Sequence, residues 1–214
     1  MKNVFFLFFL AIPSAFISCS NDEPQPTLPP ITEEGLNTFG CYVDGELLLP
    51  KDGSPGIGSI GGGANGLMVY YLIDSATNSK GEKFGPTYFA ILASNYVDKG
   101  GDLIYLYIPS IFEGEDYTIN ESHGHGSGAS SPHSHVLGNL YDSDDQVTRY
   151  LSFPNSGKVT ITRYDTIETI ISGTFDLEMV DENSKTDTIK ITDGRFDINW
   201  GNLNCGHFGE EPCP

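Results

Sequence analysis

Positive charge is scarce in this chain. Its 214 residues carry 11 Lys and Arg against 29 Asp and Glu, a formal charge of −18. Phosphate contacts draw on Lys and Arg, so the balance argues against nucleic-acid binding. It argues equally against attachment to anionic head groups through a basic patch. The acid excess serves solubility first. A long apolar run is also missing. Val4 to Ile17 is apolar apart from Pro13 and Ser14, which is short of the ~20 residues of a membrane span. With Lys2 ahead of it, the run suits the core of a signal peptide over 1–18. Cysteines number four, Cys19, Cys41, Cys205 and Cys213, and a chain of this size can bury its apolar surface without them. No convincing helical period appears. Neither a Gly-x-Ser-x-Gly elbow nor a His-Glu-x-x-His helix is present.

What is there is strand after strand. Cys41 to Leu49 reads as a hairpin around Asp44-Gly45, a dipeptide that favours tight hairpin turns. Leu67 to Ile73, Thr87 to Ala93 and Leu103 to Ile108 are short runs rich in Tyr and β-branched residues. Further on, Ile171, Gly173, Phe175, Leu177 and Met179 alternate with Thr174, Asp176 and Glu178. Ile189 and Ile191 alternate with Thr188, Lys190 and Thr192. Phe196, Ile198 and Trp200 alternate with Arg195, Asp197 and Asn199. Period-two alternation means antiparallel strands with one wet face. The expected fold is all-β, an antiparallel β-sandwich, with an up-and-down β-barrel as the alternative. Segments 52–66, with seven glycines, and 121–135, rich in Gly, Ser and His, read as loops.

Two His-x-His pairs, His123/His125 and His133/His135, hold four of the five histidines. Alternate strand residues point the same way, so each pair can offer two imidazoles to one Zn or Cu ion. Against this, the intervening Gly and Ser leave the ligands poorly held, and ordering them costs about 1–2 kcal/mol per residue. Gly56-x-Gly58-x-x-Gly61 matches a dinucleotide fingerprint in letters but lacks the strand before it and the helix after it. Tyr105 and Tyr107 share one face of their strand, opposite Ile104, Leu106 and Ile108. An exposed tyrosine face can stack on sugar rings or a protein partner; ordinary packing under a loop is the alternative. Asp142, Asp144 and Asp145 lack the Gly and the closing Glu of a calcium loop. No carboxylate pair stands out as a glycosidase dyad.

Ser18-Cys19, at the end of the apolar leader, resembles the lipobox of bacterial lipoproteins. That resemblance implies cleavage before Cys19 and acylation of its thiol and new amino terminus. Ser20-Asn21-Asp22-Glu23 is similar to the acidic start of mature Bacteroidota lipoproteins, which implies the outer membrane and an outward-facing position. Asn37 to Gly45, Ile171 to Phe175 and Ile191 to Asp197 resemble a family of uncharacterised lipoproteins of that phylum, which lends no catalytic residue. Asp74-Ser75-Ala76, Asp165-Thr166-Ile167 and Asp187-Thr188-Ile189 resemble its O-glycosylation acceptor sites, so Ser75, Thr166 and Thr188 are candidates. With Cys19 acylated, Cys205 and Cys213 are the favoured disulfide and Cys41 is left over. A Cys41–Cys205 bridge stays open, since spacing does not fix connectivity.

The expected organisation is a signal peptide over 1–18, a lipidated, Pro-rich tether over 19–35 and a single all-β domain over 36–214. The tether reads as extended chain at ~3 Å per residue. Three functions compete. The first is a non-enzymatic binding or structural module, held at the membrane by its lipid, with a glycan or protein partner and no cofactor. The second is a Zn- or Cu-handling lipoprotein that uses the His-rich loop. The third is a polysaccharide hydrolase.

Overall fold

The computed structural model describes residues 25–53, 64–73, 86–97, 101–124 and 131–203. Among them no helix forms. There are ten strands: β1 Thr38–Val43, β2 Glu46–Leu48, β3 Leu67–Ile73, β4 Pro86–Asn95 and β5 Asp102–Pro109, then β6 Asp116–Ile119, β7 His135–Tyr141, β8 Val147–Asp165, β9 Ile170–Asp181 and β10 Thr188–Asn199. Asp44 (φ 48°) and Gly45 (φ 85°) turn the β1–β2 hairpin. Positive φ at both central residues suits the right-handed twist of the strands they join.

Strand order is β2-β1-β10-β9-β8-β7-β5-β4-β3, with β6 paired to β8 off this path. Neighbouring strands are antiparallel throughout. β8 breaks register between Ser152 and Gly157. Before the break it pairs with β7, and after it with β6. Pro154 sits in the break, where its missing N–H costs no ladder bond. The sheet curls, and its two halves close on one core. Trp200, just past β10, lies 5.7 Å from the Phe89 ring of β4 and 5.7 Å from the Tyr164 ring of β8. Lys51 nearly closes the roll. It forms a parallel bridge to Asn95, its N–H donates to the Ser94 carbonyl (3.0 Å), and its carbonyl accepts from Tyr96 N–H (3.1 Å). The all-β antiparallel expectation holds, and the sandwich and barrel alternatives meet in one curled sheet.

Two of the sequence segments singled out above acquire a physical reason. Across β9 and β10, Gly194 faces Phe175 and Gly173 faces Phe196. A Cβ at Gly194 would lie 2.5 Å from the Phe175 ring, and one at Gly173 2.7 Å from the Phe196 ring. Each phenylalanine lies over the glycine opposite, an arrangement that fills the space a bare glycine leaves in a sheet. Both rings reach the main core, with Phe39 at 5.4 Å from Phe175.

The chain just ahead of Leu36 also packs on the sheet. Leu28 and Pro29 cover Gly40 of β1, and the Pro29 carbonyl accepts from Arg195. Thr32 to Leu36 is held by one carboxylate. Asp197 accepts from Thr32 Oγ1 (2.6 Å), Glu34 N (3.1 Å), Gly35 N (2.8 Å), Leu36 N (3.3 Å) and Ser172 Oγ (2.8 Å). Alternation puts Asp197 on the wet face, yet it is 1 % exposed, because this strap lies over it. Burial raises its carboxyl, but the bonds from Thr32, Ser172, Gly35 and Leu36 outweigh burial and hold it below the usual range.

Candidate functional site

One end of the roll gathers the β1–β2, β4–β5, β7–β8 and β9–β10 connections. There the two halves diverge around a cleft of about 550 Å³. Its apolar wall is Val43, Leu47, Leu48, Leu140 and Ile189. Its polar groups are Asp44, Glu46, Asn95, Asp102 and Tyr141, with no Lys or Arg among them. The size falls within the ~300–1,000 Å³ usual for small-ligand sites, which favour the mouths of β-barrels.

The acids here are held by the strands they flank. Asp44 Oδ1 accepts from Lys190 N (2.7 Å), and Asp44 N–H donates to the Lys190 carbonyl (2.8 Å). Asp102 Oδ1 accepts from Tyr141 N (2.7 Å). Nearby, Tyr150 donates its hydroxyl hydrogen to Asp187 Oδ2 (3.2 Å). Burial, then the charges of Asp187, Asp181 and Asp44, push that phenol up to about 12. The phenol registers a negative field at this end of the roll. Fixed acceptors beside an apolar wall can receive hydroxyl or amine hydrogens while a ring lies against the aliphatic side. Anions meet repulsion.

The residues singled out from sequence lie elsewhere. Tyr105 and Tyr107 do point to the outer face of β5, but they are 3 % and 2 % exposed. An open stacking platform is therefore not what they form. They pack with Ala90, Leu137 and Leu151 in a second apolar cluster. Tyr88 lies 5.7 Å from Tyr107 on one side, and the His135 ring lies at 4.7 Å. The Tyr107 hydroxyl donates to the Ser131 carbonyl (3.2 Å), so the chain just before β7 seals this face.

The two arms of the His-rich segment run together, with Asn120 N–H donating to the Ser134 carbonyl (2.8 Å). His135 is buried, and its Nδ1 lies 3.1 Å from the His133 carbonyl. A carbonyl can only accept, so Nδ1 carries the proton. Burial pulls the His135 pKa down, the His133 carbonyl opposes this, and the charge of nearby His123 adds to the lowering. His123 and His133 are exposed, and His125 lies outside the described residues. Among the described residues no three His, Cys, Asp or Glu side chains gather as metal ligands.

Asp142 caps its own turn, accepting from Asp144 N (2.8 Å) and Gln146 N (3.0 Å). Thr166 is exposed in the β8–β9 turn. Thr188 is exposed at the start of β10, with its neighbour Ile189 buried. Cys41 is a free, buried thiol whose pKa burial pushes up to about 12. Cys19, Cys205, Cys213, Ser75 and the Gly56–Gly61 motif lie outside the described residues.

Sequence reasoning missed the cleft because its polar groups come from the β1–β2 turn, β2, β4, β5 and β7, mostly far apart along the chain. The one local signal was acid beside turn residues, as at Asp44-Gly45. Comparison with protein-family models, with curated proteins and with solved structures finds no match to this chain.

Proposed function

We propose that this is a lipid-anchored outer-membrane protein, acylated at Cys19, that binds the end of a neutral glycan in the hairpin-end cleft without catalysing a reaction. The observation that carries the reading is the cleft itself, with carboxylate, amide and phenol groups beside an aliphatic wall. Sugars present apolar C–H faces and outward hydroxyls, and charge-assisted hydrogen bonds from hydroxyls to carboxylates are strong ones. A concave site suits a chain end, whereas a protein partner calls for about 800 Å² of surface per side. Asp44 and Asp102 are engaged with backbone N–H groups, which suits fixed acceptors rather than groups that shuttle protons. The acidic surroundings select against uronic or sulfated sugars.

The test is an array of neutral and anionic oligosaccharides, followed by titration calorimetry on the hits. Leu140→Trp fills the cleft and is expected to abolish binding with the fold intact by circular dichroism. Anionic analogues are expected to bind about tenfold more weakly or worse. A ligand whose affinity survives Leu140→Trp, or an anionic preference, overturns the assignment. Mass spectrometry of the mature amino terminus tests the anchor, and Cys19→Ala is expected to release the protein from the membrane.

A further inference from the structure

We infer that the strap end of the domain, opposite the cleft, rests on a lipid surface through Ile31, Leu36 and Ile167. The inference depends on the proposed anchor at Cys19. Ile167 is 92 % exposed in the turn between β8 and β9, and Ile31 and Leu36 are exposed on the strap. Turns of this kind favour Gly, Asn, Asp, Ser or Pro, each for its own backbone reason, and isoleucine offers none of them.

The three side chains share one end because Arg163 ties their backbones together. Its guanidinium donates to the Glu33 carbonyl of the strap and to the Glu168 carboxylate of the turn. Asp165 Oδ1 accepts from Ile167 N (2.9 Å) and Glu168 N (3.0 Å), so the turn is built around a fixed carboxylate. Asn199 completes the join, accepting at its carboxamide oxygen from Thr169 (2.8 Å) and donating its N–H to Asn37 (2.8 Å).

Single exposed apolar residues are ordinary on a protein surface. Here the length of the connecting chain gives them an occupant. Nine residue steps lead from Cys19 to Leu28, where the strap is already packed. Fully extended, they reach about 30 Å. The strap carries two of the three apolar side chains, so the segment that leads from the acyl chains also brings them to the bilayer. Asp165 and Glu168 pair with Arg163, and Glu33 and Glu34 add two further acids to the strap, so the surface concerned is zwitterionic rather than anionic. β10 runs from Ile189, in the cleft wall, to Asn199, beside the strap. At ~3.3 Å per residue the cleft then opens about 30 Å from the lipid.

The experiment uses the full acylated protein in phosphatidylcholine vesicles with brominated acyl chains. Native Trp200 is buried, so Ile167→Trp adds a surface reporter, and Val97→Trp places a second one on the exposed β4–β5 connection near the cleft. Interfacial side chains sit about 5–10 Å deep, so position 167 is expected to lose at least about half its emission and position 97 almost none. Equal emission at both positions in floated vesicles overturns the inference while leaving the anchor standing. Failure to float removes both. A sugar on Thr166, or a dimer in which position 167 is buried without lipid, also overturns it.

Discussion

Asp197→Asn is the sharpest test of how the strap is held. The wild-type carboxylate accepts five hydrogen bonds, from Thr32, Glu34, Gly35, Leu36 and Ser172. An amide of the same shape keeps one oxygen, which can still serve Gly35 N–H and Ser172 Oγ on the Oδ1 side. Its NH₂ then faces Thr32 Oγ1, which can rotate to accept, and the N–H groups of Glu34 and Leu36, which cannot. Two backbone donors lose a charged acceptor. Such bonds contribute about 1.5–3 kcal/mol each, and these two are long, so about 2–4 kcal/mol is expected in all. For a domain of this size that is a fall of roughly 5–15 °C in Tm. The pH dependence gives a second readout. The folded carboxyl sits below its unfolded value, near 3.9. Its stabilisation is therefore full above about pH 4 and is lost as pH falls through the folded value. Urea melts between pH 7 and pH 3 should show wild type losing more stability than Asp197→Asn across that acid window. Hydrogen exchange should rise at residues 32–36 in the variant. Unfolding free energies from urea within about 0.5 kcal/mol of each other, with unchanged exchange at the strap, would refute the reasoning.

Three further substitutions probe other parts of the fold. Gly194→Ala drives a methyl group into the Phe175 ring, 2.5 Å away, and overpacking of this kind costs about 1–3 kcal/mol by chemical denaturation; Gly45→Ala, with open space around it, should cost only its turn strain. His135 is held below its unfolded value by burial first, so the unfolded chain binds the proton more readily. Stability should therefore decline as pH drops below about 6.5 and level off below the folded value. His135→Phe should flatten that limb in a pH series of thermal melts, and an unchanged limb would show that His135 does not set it.

Much of the strand pattern was legible. Ile171, Gly173, Phe175, Leu177 and Met179 all face inward, as do Phe196, Ile198 and Trp200. Alternation reports only which face a side chain takes, and a face need not be wet. Tyr105, Tyr107 and Asp197 all point outward from their strands, and all three are buried. The cover over Tyr107 comes from the chain at Ser131 and His135, and the cover over Asp197 comes from residues 32–36. Neither is local to the strand it covers. The choice between sandwich and barrel was hidden for a similar reason, since it turns on the β8 register break and on the Lys51–Asn95 bridge. The cleft takes five residues from the β1–β2 hairpin and one or two from each of three other connections, so no short motif could announce the whole of it.

The pairing of β1 with β10 governs when this chain can fold at all. Thr38 sits opposite Asp197 in the ladder, and the same Asp197 secures the strap that precedes β1. The first strand therefore waits for the last. A nascent chain that ends before β10 offers β1 only its hairpin partner β2 and has no acceptor for the strap. Ordering must follow delivery of nearly the whole sequence, and such distant pairing makes it slow. For the exported, acylated protein proposed above, that delay is an advantage: the chain stays threadable until its far end has arrived.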